Sequence, residues 1–360
     1  MVAGADKKDV LNVKVAVVYN RHKDGIINAF GQQNKEWYPE ETIDLVAKAL
    51  KKAGHSIGLI EGDRHLLVRL DDFLPKLSPD EEPGIVFNLA LGIQGKCRYT
   101  HIPAVLEMAG IPYTGSSPLG HALALDKALS KQIFLANRLA TPQFSVFYDK
   151  NQLKDLKLHL KFPLVVKPRS EAASIGLSVV KNEKSLKEAV ACILETFKQP
   201  ALVEEFIEGR EINVSIIGNY PPLVFPVLEL ELEKTSSNVF THEDKFHLSG
   251  KKIQKICPAD LPSGLDTSIR NIALQAYKAL SIYDHARVDM RLDKNKNPYL
   301  IEINSMASIN PSSSLVYAAK VIDLDYDQLI NKILESAISR YAREEPEIFG
   351  RYKKRYQSKI

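Results

Sequence analysis

Short apolar runs alternate with amphipathic stretches along the first 126 residues of the chain. Val13–Tyr19, Ser56–Ile60 and Gly84–Leu89 are apolar runs too short for a helix, and they predict buried strands. Between the first two runs, Glu40–Ala53 carries apolar residues at helical spacing and stops at Gly54, a residue typical of helix ends. This order predicts an open, mostly parallel sheet with helices on its faces.

The same periodicity divides the rest of the chain into two further units. Residues 127–210 and 211–342 follow the N-terminal unit 1–126, and a basic tail occupies 343–360. The predicted elements are a helix over Lys127–Leu139, strands over Phe144–Phe147 and Phe162–Lys167, a helix over Ser185–Phe197, strands over Ala201–Ile207, Ile212–Ile217 and Leu223–Leu232, a helix over Thr267–Leu280, a hairpin over Ala286–Asn304 and a helix over Tyr326–Tyr341. The predicted fold class is therefore α/β (α+β), in three units.

The predicted hairpin carries the most informative polar residues. In its first arm Arg287, Asp289 and Arg291 alternate with apolar residues, and in its second arm Glu302 and Asn304 do the same. Residues two apart on a strand share a face, and a hairpin places two such faces side by side. Carboxylate and amide oxygens suit Mg²⁺, which binds one or two carboxylates together with nucleotide phosphates. A solvated, salt-bridged face is the alternative for the hairpin alone.

Two lysines and a loop add positive charge and backbone donors. Lys167 ends a buried strand, and the loop Arg169–Ser178 after it is rich in small residues whose N–H groups could surround phosphate oxygens. An ordinary hairpin turn is the alternative for this loop. Lys127 opens a helix and could point inward, but the residues alone favour a lysine on the helix surface.

The segment Ala201–Glu211 is an apolar strand that breaks at Gly209 and has acidic residues at both ends. Such a segment can line a purine slot, with backbone groups near Glu204 and Ile207 at the base edge and Glu211 accepting ribose hydroxyls. A linker between two units is the alternative, and the two are compatible.

Composition and charge exclude several classes of protein. Hydrophobic residues make up 45% of the 360 residues and charged residues 26%, as in globular proteins, which excludes a disordered or fibrous chain. The three cysteines have no metal-type spacing, and the N-terminus has no signal peptide, so we expect a cytoplasmic protein. The net charge of +4 comes from residues 340–360, with seven basic and three acidic residues; such tails are usually solvated, so a nucleic-acid partner is not expected.

Taken in order, a series of motifs resembles the ATP-grasp ligases and, more closely, the D-alanine–D-alanine ligase family. The resemblance covers about Val86–Ala337 and implies a three-domain ATP-grasp fold, in which two α+β domains clamp ATP beside the N-terminal sheet domain. Its pieces are Leu106–Ser116, Leu125–Lys127, Ser130–Lys131, Val165–Pro168, Val203–Glu211, His242–Phe246, Cys257–Ala259, Arg287–Asp289, Glu302–Asn304 and Ser314–Val316.

The resemblance implies a role for each matching position. ATP phosphates would be bound by Lys127 and Lys167, and adenine and ribose by Glu204, Phe206, Ile207 and Glu211. Ser174 would lie in a loop over the γ-phosphate and Lys245 in a second covering loop, while Arg287 would stabilise the phosphoryl group and the later oxyanion. Asp289, Glu302 and Asn304 would bind Mg²⁺ (or Mn²⁺), and Ser314 and Leu315 would hold the second substrate's carboxylate.

The departures from the family lie on the side of the two acceptor substrates. Tyr19–His22 replaces a glycine pair and a substrate-binding glutamate, Asn88–Arg98 replaces a histidine-containing and acidic motif, and Met306–Pro311 has one extra residue. Arg21, Lys96, Arg98 and His101 lie in this region and hint at an anionic substrate, but surface charge is the favoured interpretation.

These patterns predict an ATP-dependent carboxylate–amine ligase that joins two small amino-acid-like substrates through an acyl phosphate. Chemistry of this kind needs no protein nucleophile, and no nucleophile motif is present. A true D-alanine–D-alanine ligase and a non-catalytic ATP-binding protein are the alternatives. The family resemblance also implies a possible homodimer, and no membrane partner is expected.

Overall fold

The computed structural model describes residues 13–21, 34, 36–74, 84–154, 159–232 and 253–346. The predicted site residue Lys245 and residues 347–360 of the basic tail lie outside these ranges. Within the described residues, no helix is long and apolar enough to cross a lipid bilayer.

Helices and strands alternate along the described chain. The strands are β1 Lys14–Tyr19, β2 Ser56–Glu61, β3 Ile85–Asn88, β4 Phe144–Phe147, β5 Leu164–Pro168, β6 Ser178–Val180, β7 Ala201–Glu205, β8 Gly209–Ile217, β9 Leu223–Val224, β10 Leu228–Leu232, β11 Ile253–Ile256, β12 His285–Asp293 and β13 Pro298–Asn304. The α-helices are α1 Glu40–Lys52, α2 Leu66–Phe73, α3 His101–Met108, α4 Pro118–Leu125, α5 Lys127–Ala136, α6 Glu183–Thr196, α7 Ser263–Ala279, α8 Ser314–Val321 and α9 Tyr326–Glu344.

The N-terminal sheet is parallel, with the strand order β2-β1-β3. Residues Val15–Val18 of β1 are fully buried because helices cover both faces of a parallel sheet, and this explains the continuous apolar run. The α1 helix buries Ile43, Val46 and Leu50 against this sheet. Gly54 follows the helix at φ +97°, a backbone conformation that favours glycine. The predicted parallel sheet and its first helix are confirmed.

The central sheet is antiparallel, with the order β4-β7-β5-β6. One face is covered by α6, whose Leu186, Val190 and Ile193 are buried with Leu164 and Val166 of β5. The opposite face is left for the polar residues that end these strands.

The C-terminal sheet has the order β11-β10-β8-β12-β13, with β9 paired to the end of β8. Its two faces differ because polar and apolar residues alternate along β8 and β12. Val288, Met290 and Leu292 are buried on one face against Ile269 and Ala273 of α7. The other face presents the polar residues of the predicted hairpin. The alternation therefore leaves one face of the sheet apolar and the other face polar.

The structure differs from the predicted elements at two places where the physical cause is clear. The predicted strand Leu223–Leu232 is two strands, because Pro226 has no N–H to donate to a neighbouring strand. Pro118, for which no element was predicted, begins α4, where the Ser117 hydroxyl accepts a hydrogen bond from the Gly120 amide. Serine followed by proline is a helix-start signal that the apolar periodicity did not use.

A buried ion pair joins three distant parts of the chain. Asp284 is fully buried and lies 2.9 Å from Nη2 of Arg340 on α9. The same carboxylate accepts hydrogen bonds of 2.8 Å from the Gly115 amide and from the Asn219 side chain. The N-terminal unit is thereby held against the C-terminal sheet.

Candidate active site

The hairpin β12–β13 brings the predicted metal ligands together. Asp289 is the cross-strand partner of Glu302, and Arg287 is the partner of Asn304. Arg287 donates two hydrogen bonds of 2.6 Å to the carboxylate of Asp289, and the Asn304 amide donates a third of 2.9 Å. Burial alone would lower the pKa of Arg287, but Asp289 and Glu302 raise it above its ordinary value. The predicted convergence of these side chains is confirmed.

Lys127 points into this site. Its ammonium lies 2.9 Å from Glu302 and donates a 2.6 Å hydrogen bond to the carbonyl of Glu171, and the residue is only 7% exposed. The surface position favoured from the residues alone is therefore wrong. The first turn of α5 is covered because its Lys127 amide donates to the carbonyl of Arg169, at the start of the loop 169–178.

A buried triad of charges lies beside it, where β5 and β7 meet α5. Glu204 is 2.5 Å from the ammonium of Lys167 and 2.8 Å from that of Lys131. Burial raises the pKa of Glu204, but the two lysines outweigh burial and hold the net pKa below its ordinary value. Lys131 belongs to a motif of the family resemblance, but the sequence analysis assigned it no role. Its signal is the spacing of four residues from Lys127, which places both lysines on one face of a helix.

The loop Arg169–Ser178 makes two tight turns. Ala173 and Ser174 have φ values of +54° and +58°, and Gly176 has φ +73°. The amides of Ile175 and Leu177 donate to carbonyls three residues earlier. Small residues are required here because a left-handed backbone is costly for branched side chains. The small residues noted in the sequence of this loop therefore lie where the backbone has positive φ values.

The segment Phe206–Glu211 wraps around Arg291. The guanidinium donates 2.7 Å and 3.0 Å hydrogen bonds to the carbonyls of Ile207 and Gly209, and lies 2.9 Å from Glu211 and 4.9 Å from the centroid of the Phe206 ring. Arg291 was expected to share the face of the hairpin but not to organise this segment. The carboxylate of Glu204 is paired with two lysines. Only the backbone groups of Glu204 could therefore hydrogen-bond to a purine base.

Ser314 and Leu315 form the first turn of α8, directly after the loop that leaves β13. Ser313 caps this helix, with its hydroxyl accepting a 3.3 Å hydrogen bond from the Val316 amide. Ser314 is 7% exposed and Leu315 is 1% exposed. Backbone N–H groups at a helix N-terminus favour an anion, which is consistent with the predicted carboxylate.

On the acceptor side, Arg98 is buried, not on the surface. It is 2% exposed and donates hydrogen bonds of 2.9 Å and 3.2 Å to Glu36 and Glu171, and one of 3.1 Å to the carbonyl of Ser170. The expectation of surface charge is wrong for Arg98, although Lys96 and His101 are exposed as expected. Arg98 thus connects the N-terminal unit to the loop 169–178.

A buried histidine supports the loop that follows β13. His121 is fully buried, and its Nδ1 lies 2.8 Å from the hydroxyl of Ser305. Burial lowers the pKa of His121 to about 3 and that of His285 to about 4, so both rings are neutral. The two histidines were not singled out from the sequence, because nothing in their spacing marks them as buried.

Comparison with known proteins identifies a family and relatives of this chain. A family model described as the D-ala D-ala ligase C-terminus matches residues 136–335. An uncharacterised protein of Sinorhizobium fredii is 44% identical over 333 residues, covering 91% of this chain and 98% of that protein. A D-alanine–D-alanine ligase of Carboxydothermus hydrogenoformans is 32% identical over 300 residues, covering 81% of this chain and 91% of that enzyme.

A solved structure shows the same fold. The D-alanine–D-alanine ligase of Bacillus anthracis in complex with ATP has a TM-score of 0.69 and 22% identity, and the alignment covers 92% of this chain and 99% of that chain. The chain therefore belongs to the D-alanine–D-alanine ligase family and is an ATP-grasp enzyme of the class that forms carbon–nitrogen bonds with ATP.

Proposed function

We propose that the enzyme joins the carboxylate of one amino-acid-like substrate to the amine of another through an acyl phosphate, releasing ADP and phosphate. One observation carries this proposal. Two carboxylates, Asp289 and Glu302, face each other on the hairpin and are each contacted by a cation, Arg287 or Lys127. Such a mixture of oxygen ligands and cations suits a nucleoside triphosphate with its divalent metal ion.

The oxygen atoms of this group fit Mg²⁺ or Mn²⁺. Asp289, Glu302 and the amide oxygen of Asn304 would hold the ion, which supplies neutralisation of phosphate charge. Asn213, the cross-strand neighbour of Asp289 on β8, is 2% exposed, and its Oδ1 has no hydrogen-bond donor among the described residues. An acceptor left without a donor is compatible with a nearby cation or its water.

The protein ligands are few, so metal binding should depend on the nucleotide. The described part of the chain contains no group of three or more His, Cys, Asp or Glu residues that could hold a metal ion. Asp289 and Glu302 form ion pairs with Arg287 and Lys127. If these carboxylates held a metal ion instead, the two cations would become available to phosphate oxygens.

The remaining residues have roles in orientation and in the exclusion of water. Lys127 and Lys167 would bind the phosphates, and Arg287 would stabilise the transferred phosphoryl group and the later oxyanion. Ser174 and Lys245 would lie in two covering loops that exclude water from the acyl phosphate. Phe206, Ile207, Glu211 and the backbone of Glu204 would hold adenine and ribose.

The chemistry balances without a protein nucleophile. A carboxylate oxygen of the first substrate attacks the γ-phosphorus of ATP, and the bond to the bridging oxygen of ADP breaks. The amine nitrogen of the second substrate then attacks the acyl carbon, phosphate leaves, and the nitrogen loses a proton. Ser314 and Leu315 at the start of α8 would hold the carboxylate of this second substrate.

A substrate panel tests the proposal. Pairs of amino acids, D-alanine with itself among them, are supplied with ATP and Mg²⁺, and ADP release is measured together with the mass of the product. We expect turnover that requires both a carboxylate and an amine, and a product heavier than either substrate. Tight ATP binding without ADP release across the panel would instead identify a non-catalytic nucleotide-binding protein.

A further inference from the structure

The edge strand β11 contributes a cation to the polar face of the C-terminal sheet. Lys255 is the cross-strand partner of Leu230 on β10, Leu230 pairs with Glu211 on β8, and Glu211 pairs with Arg291 on β12. Cross-strand partners point to the same face of a sheet. Lys255 therefore lies on the same face as Arg287 and Asp289.

The ammonium of Lys255 reaches the loop before α8. It donates a hydrogen bond to the carbonyl of Ser312, two residues before Ser314. Burial and the nearby guanidinium of Arg287 both lower the pKa of Lys255 below its ordinary value. The two cations are thus close enough to repel each other.

Of these two cations, Lys255 is the one short of negative charge, whereas Asp289 and Glu302 compensate Arg287. Arg287 uses Nε and Nη2 on Asp289, and Nη1 donates to no acceptor in the described part of the chain. No carboxylate among the described residues forms an ion pair with Lys255. Asp289 is also a proposed metal ligand, so the loaded site would leave both cations with less compensation. A half-buried ammonium in this situation favours an anion that arrives with a substrate.

We propose that Lys255 is a specificity-determining residue that recognises the carboxylate of the amine substrate. This inference rests on the proposed function, which seats that carboxylate at Ser314 and Leu315. Lys255 adds a charged hydrogen-bond donor next to those backbone donors. The amine substrate is therefore an amino acid with a free carboxylate, and an amine that lacks this group is a poor substrate.

The experiment compares amine substrates that differ only in this group. Glycine, D-alanine, D-serine and L-alanine are each compared with their carboxamides at saturating ATP and carboxylate substrate, for wild type, Lys255→Met and Lys255→Arg. Lys278→Met, a change of an exposed lysine on α7, is the matched control. ADP release gives kcat and KM for each amine.

We expect Lys255→Met to raise KM for the carboxylate-bearing amine by about tenfold to a hundredfold, as for loss of a charge-assisted hydrogen bond. The rate with the carboxamide should not change, and Lys255→Arg should recover most of the affinity. An equal loss for amino acid and carboxamide would assign Lys255 a structural role and overturn the inference. Wild-type enzyme that prefers the amino acid, with no change in Lys255→Met, would also overturn it. No turnover in wild type with any pair would instead reject the proposed function.

Discussion

The ion pair between Lys127 and Glu302 allows a prediction with an unusual direction. Replacing Lys127 by methionine should strengthen the binding of Mn²⁺ in the absence of nucleotide, while it weakens the binding of ATP. The reason is competition, because Lys127 forms an ion pair with the Glu302 carboxylate that is proposed to hold the metal ion.

The magnitude follows from the geometry of the pair. At 2.9 Å, two unit charges attract each other by about 6 kcal/mol at an effective dielectric constant of about 20. The side chains are 9% and 15% exposed, so desolvation offsets much of this attraction, and a charged hydrogen bond contributes about 1.5–3 kcal/mol net. Because about 1.4 kcal/mol corresponds to a factor of ten, we expect Mn²⁺ to bind about ten- to a hundredfold more tightly in the variant.

Electron paramagnetic resonance measures free Mn²⁺ directly and needs no catalytic turnover. Titrations of wild type, Lys127→Met and the exposed control Lys278→Met would be made without nucleotide, and ATP affinity would be measured separately by calorimetry. We expect ATP to bind at least about tenfold more weakly to Lys127→Met, since a charged phosphate contact is lost. Unchanged or weaker Mn²⁺ binding by a folded Lys127→Met protein would refute the competition between lysine and metal ion.

Three further predictions concern the site and its support. Asp289→Asn and Glu302→Gln should each lower ADP release at least about tenfold, because each removes a charge proposed to hold the metal ion, and unchanged rates in both would reject the metal assignment. Glu204→Gln should lower the free energy of unfolding by about 3–5 kcal/mol, because it removes the carboxylate that balances two buried lysines; a loss below about 1 kcal/mol in urea unfolding would contradict this. The depressed pKa of His121, about 3 against 6.5 when unfolded, means that stability is full above pH 6.5 and is lost as the pH falls, by about 1.4 kcal/mol per unit. Between pH 7 and pH 5, His121→Gln should therefore show a loss of unfolding free energy that is smaller than that of wild type by about 2 kcal/mol, and identical losses would exclude this origin.

The hairpin residues could be predicted from the sequence because their arrangement follows from a local rule. Alternation places Arg287 and Asp289 on one face, and a short turn between Asp293 and Pro298 returns the chain beside them. The length of the turn sets the pairing of Met290 with Leu300, and a β-bulge between Asp289 and Met290 then shifts the register by one residue, so that Asp289 meets Glu302. The periods of two and 3.6 residues likewise predicted the parallel N-terminal sheet and α1.

The environment of the cations could not be predicted in this way. Whether the first residue of a helix faces solvent depends on what packs over it, and for Lys127 this is a loop more than 40 residues away. Arg98 meets Glu36 across 62 residues of sequence, and no motif connects them. Tertiary packing determines both environments. The sequence departs from the family motifs around Arg98, and only the structure shows that this arginine contacts Glu36.

The assigned boundaries 1–126, 127–210 and 211–342 stay a prediction, but the contact between Asp284 and Arg340 limits how far such units can be interchanged. The carboxylate of Asp284 has no exposure to water, and an arginine 56 residues later balances its charge. Its Oδ2 accepts hydrogen bonds from both that arginine and the Gly115 amide. A chimera that imports another N-terminal unit must keep a backbone amide at that point in space. Recombination among relatives is thus constrained by a buried charge that is not one of the proposed nucleotide-binding residues.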